Sequence, residues 1–491
     1  MASKGLSKSR LTAFEQCAKR LWLPVHRPEL AEFDDGAQSR FATGREVGAI
    51  ACALVPDGHM IVAEPDLAAA LKATQRLLQG GHRAPLFEAT LEHDGVLVRI
   101  DILEPDGDDA WSMVEVKSST RMKDYHLGDL ATQLWVAREA GLKISRCAIR
   151  HINNGFVLER TGDYQGLLTD TTVGSEVEPM TAGRAALAIA ARATLEGPEP
   201  GVRPGSHCHA PFPCEFEAHC HAGLPEEPQW PVSILPNGGG KRWLDEGVTD
   251  LLAIDPEALR SAVQQRVYRA TATGEAFHDC DAAKDAMAAW AYPRTSLDFE
   301  TIAFVAPRWI GTRPYQQIPF QFSAHIEASD GTVVHREFLS LDGGDPRRAC
   351  AEALLQLPDN GAVVAYNAGF ERRCILELAE SQPDLADVLR ALAGRIVDLL
   401  PVTRACWYHR DQRGSWSIKA VLPTIAPELD YAGLQVSDGG KAQEAYLEAI
   451  APMTRVERRA EIDQALRLYC GRDTEAMIVL ARHLVTEATL P

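Results

Sequence analysis

Residues 96–119 read VLVRIDILEPDGDDAWSMVEVKSS. Apolar and polar residues alternate through VLVRIDIL and again through WSMVEV, the period of two that marks strands. Pro105, Asp106 and Gly107 supply a turn between them. Asp101 and Glu115 interrupt these apolar runs, where a carboxylate needs a partner. Glu115 and Lys117 are two apart and so share a face of the strand. Two carboxylates and an ammonium can therefore converge at one sheet edge. Such a set can hold Mg2+ or Mn2+ and steady charge on phosphorus. Glu88, on the strand-like run before it, is a possible further ligand. A surface hairpin with alternating charges would carry the same letters.

Outward from this stretch the pattern changes. Upstream, LFEATLEHDG forms a further strand with a turn at Asp94-Gly95. Leu67, Leu71, Leu77 and Leu78 predict a helix over 64–80, and residues 1–45 also read as helical. In LTAFEQCAKRLWL (11–23), Leu11, Phe14 and Leu21 recur at helical spacing and put Cys17 on the buried side. Downstream, a helix is expected from Leu127 to Ala140, ended by Gly141. CAIRHINNGFVLE then reads as a hairpin turning at Asn154-Gly155. Residues 196–237 are rich in Pro, Gly, His and Cys and predict little regular structure. Residues 238–290 read as helical. Within them RWLDEGVTDLLAI (242–254) has a helix–Gly–helix rhythm like a helix-hairpin-helix unit. A new α/β pattern starts at TSLDFETIAF and runs to the end.

Three cysteines stand together in SHCHAPFPCEFEAHC (206–220): Cys208, Cys214 and Cys220, spaced C-x5-C-x5-C. Cys17 is the fourth candidate. Thiolates bind zinc or iron–sulfur clusters. The spacing departs from the short knuckles of structural zinc, although His207, His209, His219 and His221 offer zinc further donors. Unliganded thiols are the third reading. Cys147, Cys374 and Cys470 read as core or surface thiols.

A second acidic constellation lies in the later half. LDFET places Asp298 and Glu300 on one face of a strand. AVVAYNAGFERRCI carries Asn367 and Glu371 after a buried strand, and LRLYCGRDTEAM carries Tyr469 and Asp473 four apart on a helix face. Four acids so distributed can hold two divalent metals. Tyr469 would position the attacking water.

These motifs resemble two nuclease families. The D-x13-E-x-K pattern resembles the PD-(D/E)XK superfamily, most closely its RecB-like branch, which includes CRISPR adaptation nucleases with a four-cysteine cluster. Gln133 in DLATQLWVAREAG matches the branch's glutamine after the E-x-K strand. Two positions depart from it: Ala137 stands where the branch often has Tyr, and Gly48 of GREVG stands where it has His, with Glu46 nearby. The resemblance implies catalytic Asp101, Glu115, Lys117 and Gln133, and a 4Fe–4S cluster on Cys17, Cys208, Cys214 and Cys220. D-x-E, N-x-x-F-E and Y-x-x-x-D resemble the Tyr-containing DEDD 3′–5′ exonucleases on an RNase H-like fold. That resemblance implies metal ligands Asp298, Glu300, Glu371 and Asp473, with Glu371 where the family usually has Asp. Asp398 in RIVDLLPV resembles a strand-end Asp of that fold outside the metal shell. Residues 291–491 also resemble a bacterial family of unknown function found behind RecB-like nucleases. RPYQQIPFQFSAH (313–325) and GSWSIKAVLP (414–423) are its signature stretches.

The expectation is a multi-domain α/β protein. A restriction-endonuclease-like domain spans 1–225, a helical connector 226–290, and an RNase H-like exonuclease domain 291–491. The chain of 491 residues has a net charge of 50 − 68 = −18, which opposes nonspecific adsorption to nucleic acid. Lys4, Lys8, Arg10, Lys19 and Arg20 form a local basic stretch for phosphates. No apolar run reaches a membrane span, and no apolar segment follows the basic start, so the expected location is the cytoplasm. NGGGKRW and DGGKAQ do not fit a phosphate-binding loop. Expected partners are DNA, or RNA, and a separate helicase or defence protein. The alternatives are a nucleic-acid-binding protein with only the later site active, and a zinc-stabilised scaffold without catalysis.

Overall fold

The computed structural model describes residues 5–33 and 36–487. It is a mixed α/β protein that divides into two compact units. The first comprises residues up to Leu224 together with Phe304–Tyr315, and the second the remainder. Among the described residues no helix is long and apolar enough to cross a membrane.

The first unit is built on one sheet. Its strands are β1 (Leu6–Ser7), β2 (His59–Met60), β3 (Leu86–His93), β4 (Val96–Asp106), β5 (Ala110–Val116), β6 (Ile144–Ile152) and β7 (Leu168–Thr172). They run in the order β2-β3-β4-β5-β6-β7, with β1 beside β4. Asp94 and Gly95 take positive φ (46° and 66°), which closes the β3–β4 turn as expected. Helices α1 (Lys8–Gln16) and α2 (Ala18–His26) follow β1, and α3 (Ala37–Ala53) and α4 (Leu67–Gln79) come after them. Between β5 and β6, which are parallel, the chain crosses through α5 (Asp124–Glu139). Helices α6 (Gly174–Thr181), α7 (Arg184–Glu196) and the short α8 (Glu217–Ala222) complete the unit. Leu130, Leu134 and Val136 of α5 pack with Ile100, Met113 and Ile149 on one side of the sheet. Ala51 of α3 packs with Phe87, Ile102 and Val114 in a second cluster.

The expected hairpin at Asn154-Gly155 is corrected. The turn exists, but Phe156–Glu159 forms no strand, and β6 pairs instead with β7. Phe156 and Leu158 are drawn into a cluster with Val47, Val305 and Ala306. Leu158 donates its N–H to Thr312 (3.0 Å) and accepts from Gly311 (2.8 Å), so its partner lies far along the chain.

The second unit opens with α9 (Lys241–Asp245), α10 (Ala262–Thr273), strand β8 (Phe277–His278) and α11 (Cys280–Met287). Its main sheet contains β9 (Arg294–Ile302), β10 (Ile318–Glu327), β11 (Val333–Leu339), β12 (Val363–Ala365) and β13 (Ile396–Asp398). The order is β11-β10-β9-β12-β13. The first three strands are antiparallel, and β12 and β13 run parallel to β9. Helices α12 (Arg347–Leu354), α13 (Gly369–Ser381), α14 (Ala386–Gly394) and α15 (Leu399–Cys406) follow, then β14 (Trp407–Tyr408), which pairs with β8. Helices α16 (Ile418–Val421), α17 (Gly439–Ile450) and α18 (Val456–Val485) end the chain. Leu297 and Phe299 of β9 bury with Ile375 and Leu389, which commits the alternate residues Asp298 and Glu300 to the opposite face.

Residues 226–290, expected as a connector, share a core with this unit. Trp230, Ile254, Val267 and Trp290 bury with Val364, Leu399, Met477 and Leu480. The helix-hairpin-helix expectation also fails: α9 has five residues, and after Gly247 (φ 82°) the chain makes a single 3-10 turn at Leu251–Ala253.

Candidate functional site

In the second unit, the period of β9 and the turn of α18 bring Asp298, Glu300 and Asp473 together. One ligand oxygen from each lies within 4.8 Å of the others. Glu300 and Asp473 are buried. Burial, then the charge of Asp473, pushes the Glu300 carboxyl up to about 8. Asp298 is raised well above the usual range by burial and by Asp473, Glu300 and Glu371. Asp473 is raised by burial, even though Tyr431 donates to its Oδ1 at 2.6 Å. Glu371, at the start of α13, stands outside the triad but acts on Asp298. It is buried, its Oε2 has no hydrogen-bond partner, and burial followed by Asp398 pushes it up to about 7.

These groups crowd negative charge where water cannot screen it. The donors are all oxygens, as a hard divalent cation prefers, and Glu371 holds one unspent buried oxygen. The residues fit a divalent metal. Tyr469 lies in the same place, hydrogen-bonded to Asp473, and its hydroxyl accepts from Lys419 Nζ at 3.1 Å. Lys419 also donates to the Ser437 carbonyl (2.6 Å) and rests over the Tyr469 and Tyr431 rings. Asp398 is spent on the backbone: it accepts from the N–H groups of Asn367 (3.0 Å), Ala368 (3.1 Å) and Leu400 (3.0 Å). It holds the turn at Asn367, where φ is 70°, and caps α15.

In the first unit, extending the β4–β5 register by one residue sets Asp101 opposite Glu115. Asp101 Oδ2 accepts the Val116 N–H at 2.7 Å. Both oxygens of the buried Glu115 are occupied. Oε1 takes Lys8 (2.7 Å) and Lys117 (2.8 Å), and Oε2 takes Gln133 (2.5 Å). Lys117 reaches Asp129 at 2.8 Å, and Asp129 also accepts from Thr12 at 2.7 Å. Burial pushes Glu115 up, but Lys8 and Lys117 outweigh it and hold the carboxyl well below its usual range. Asp101 goes the other way, up to about 7, through burial and the Glu115 charge. Glu88 lines the same cavity and pairs with Arg99 at 3.1 Å. Gly48 also faces this cavity, and a side chain there would meet nothing within 4 Å. With Glu115 saturated by ammonium groups, the set does not fit a divalent metal until one of them leaves.

The four cysteines line one cavity. Cys17 sits at the break between α1 and α2, half-buried rather than on the buried side, with extended backbone (φ −163°). Cys208, Cys214 and Cys220 face it together with His207. The loop is tied to the first helices by Gln16, which donates to the His207 and Phe212 carbonyls (2.7 Å each), and by Trp22, which donates to Gly197 (3.0 Å). His209 and His221 pair with Glu217, and His219 with Glu199. Burial pushes Cys214 up to about 11, so its thiolate needs a cation beside it. Four thiols with an imidazole beside them are donors that zinc and iron–sulfur clusters both take.

The basic stretch is mostly spent internally. Lys8 is on Glu115, Lys19 on Glu199 and Arg20 on Glu215, while Arg10 bonds the Gly5 carbonyl. Lys4 lies outside the described residues.

Residues 295–417 match the family model of a domain of unknown function, DUF2779. The matched stretch contains Asp298, Glu300 and Glu371 but stops before Lys419, Tyr469 and Asp473. No curated protein matches the chain. Sequence reading missed Lys8 and Asp129 in the first unit and Lys419, Tyr431 and Cys470 in the second. Asp129 carried a signal, lying four residues before Gln133 on one helix face. Cys470, whose thiol is 3.7 Å from Asp298 Oδ2, and Tyr431 carried none.

Proposed function

We propose that this chain is a metal-dependent phosphodiester hydrolase acting on nucleic acid, with its hydrolytic centre in the second unit. The convergence of Asp298, Glu300 and Asp473 within 4.8 Å carries the reading. The strand order β11-β10-β9-β12-β13, with three antiparallel strands followed by two parallel ones, supports an RNase H-like fold of the DEDD type. Asp298, Glu300, Glu371 and Asp473 would hold Mg2+ or Mn2+, which when bound would activate water and neutralise charge on the leaving oxygen. Tyr469 orients the incoming water through its hydroxyl. Lys419 fixes that hydroxyl and balances part of the acidic charge. The substrate class is DNA, trimmed from the 3′ end, in repair or in defence within the cytoplasm. RNA is the competing substrate.

The first unit supports a RecB-like nuclease domain by its sheet, by Asp101, Glu115, Lys117 and Gln133, and by the thiol cavity. Cys17, Cys208, Cys214 and Cys220 would hold a 4Fe–4S cluster that staples the first helices to residues 197–222. Because both Glu115 oxygens are occupied, this unit is read as the one that does not cut in this state.

The test is cleavage of end-labelled single- and double-stranded DNA and RNA with Mg2+ or Mn2+. Asp298→Ala should abolish cleavage and Asp101→Ala should leave most of it. Cleavage unchanged by Asp298→Ala would overturn the assignment.

A further inference from the structure

Lys8 stands apart from the other groups around Glu115. Lys117 leaves a strand end and is held between Glu115 and Asp129, both at 2.8 Å. Gln133 comes from the buried helix α5 and is itself buried, with its Nε2 donating to Glu115 Oε2 at 2.5 Å. Lys8 is the first residue of α1, and its ammonium makes one ion pair, with Glu115 Oε1 at 2.7 Å. Its charge also acts on Asp101. The ammonium therefore lies on the carboxylate oxygen that a metal shared by Asp101 and Glu115 would need.

We infer that Lys8 is a resident cation of the first unit's acidic site, and that it competes with a divalent metal for Glu115. This inference rests on reading Asp101 and Glu115 as a metal-type pair, but not on nuclease activity. The physical argument is direct. A divalent ion on Glu115 Oε1 would sit beside two ammonium groups, and like charges a few ångströms apart inside protein repel strongly. Lys117 has Asp129 to fall back on, and the charge there is already balanced. Lys8 has a flexible four-carbon stem on the first residue of α1, and its side chain keeps 19 % of its surface exposed, which gives it a path to water. Withdrawal of Lys8 vacates Oε1 and leaves Asp101 and Glu115 facing an open cavity beside Gly48. The first unit then gains a metal only at the expense of the α1 contact, whereas in the second unit Lys419 acts on Glu300 and Asp473 through its charge while bonded to the Tyr469 hydroxyl.

The competition can be measured without any cleavage assay. Full-length protein carrying Asp298→Asn and Asp473→Asn removes the second unit's acids, and Mn2+ binding to it is followed by electron paramagnetic resonance. On that background Lys8→Met should tighten Mn2+ binding at one site by roughly tenfold or more, with Lys8→Gln as a second neutral variant. Lys8→Arg should keep the weak binding of the background. Adding Asp101→Asn to Lys8→Met should return the affinity to the background value, which locates the gained site. The inference is overturned by Mn2+ affinity unchanged in both neutral variants, or by a gain that survives Asp101→Asn. Either result stands whether or not the protein cleaves nucleic acid.

Discussion

Glu300 and Glu371 are carboxyls that keep their protons near neutrality, at about 8 and about 7, because burial and neighbouring acids oppose their charge. An acid with a raised folded value binds its proton more tightly in the native state than in the unfolded chain. Its stabilising contribution is whole below the ordinary carboxylate range and is lost as pH rises through the folded value. The metal-free protein should therefore lose thermal stability between about pH 5 and pH 8, and Glu300→Gln should flatten that loss in melting curves. Mn2+ affinity should rise across the same window, because protons and metal compete for the same oxygens. The crowding also predicts a trade. Asp298→Asn removes a carboxyl whose ionised form repels its neighbours, and in alkaline urea titrations, where these acids are ionised, it should stabilise the metal-free protein by about 1–2 kcal/mol, while abolishing the shift in melting temperature caused by Mn2+. These acids were legible because spacing rules fix which face a residue takes. Lys8 was visible only as one member of a basic stretch, and nothing local said that its partner was Glu115, 107 positions away.

At the scale of the element, β9 shows how a single alternation serves two ends. Leu297 and Phe299 anchor one face while Asp298 and Glu300 are offered to α18. Asp398 shows a different economy, since one carboxylate holds the end of β12, the turn at Asn367 and the start of α15. Asp398→Ala should cost about 1–2 kcal/mol of stability by chemical denaturation, in line with loss of a helix cap and its neighbours. Most helices, and the strands around Asp94-Gly95 and Gly107, could be read from periodicity and turn chemistry. The arm after Asn154-Gly155 could not. Its apolar letters suit a strand, but Leu158 finds its backbone partners at Gly311 and Thr312, and long-range pairing leaves no local mark. The helical stretch 226–290 misled for a related reason, since its apolar residues are completed by Val364 and Met477 from far along the chain.

For the whole molecule, motif order indicated two acidic centres, and the chain divides near Leu224. The return of Phe304–Tyr315 to the first unit had no sequence signal. Tyr315 gives its hydroxyl to the Ser118 carbonyl, next to Lys117, so this segment braces the strand end that carries the site. The thiol cavity ties the beginning of the first unit to its end. Anaerobically purified protein should be brown, and Cys17→Ala should bleach it and lower the melting temperature of the first unit. Colourless protein with one zinc per chain would replace the cluster with a zinc centre. The central claim concerns the other acids, and anomalous diffraction from crystals soaked in Mn2+ reads it directly. A peak bridging Asp298, Glu300 and Asp473, roughly 2.1 Å from their oxygens, is the predicted result. Crystals that take up Mn2+ elsewhere and leave these three carboxylates without a peak would contradict it.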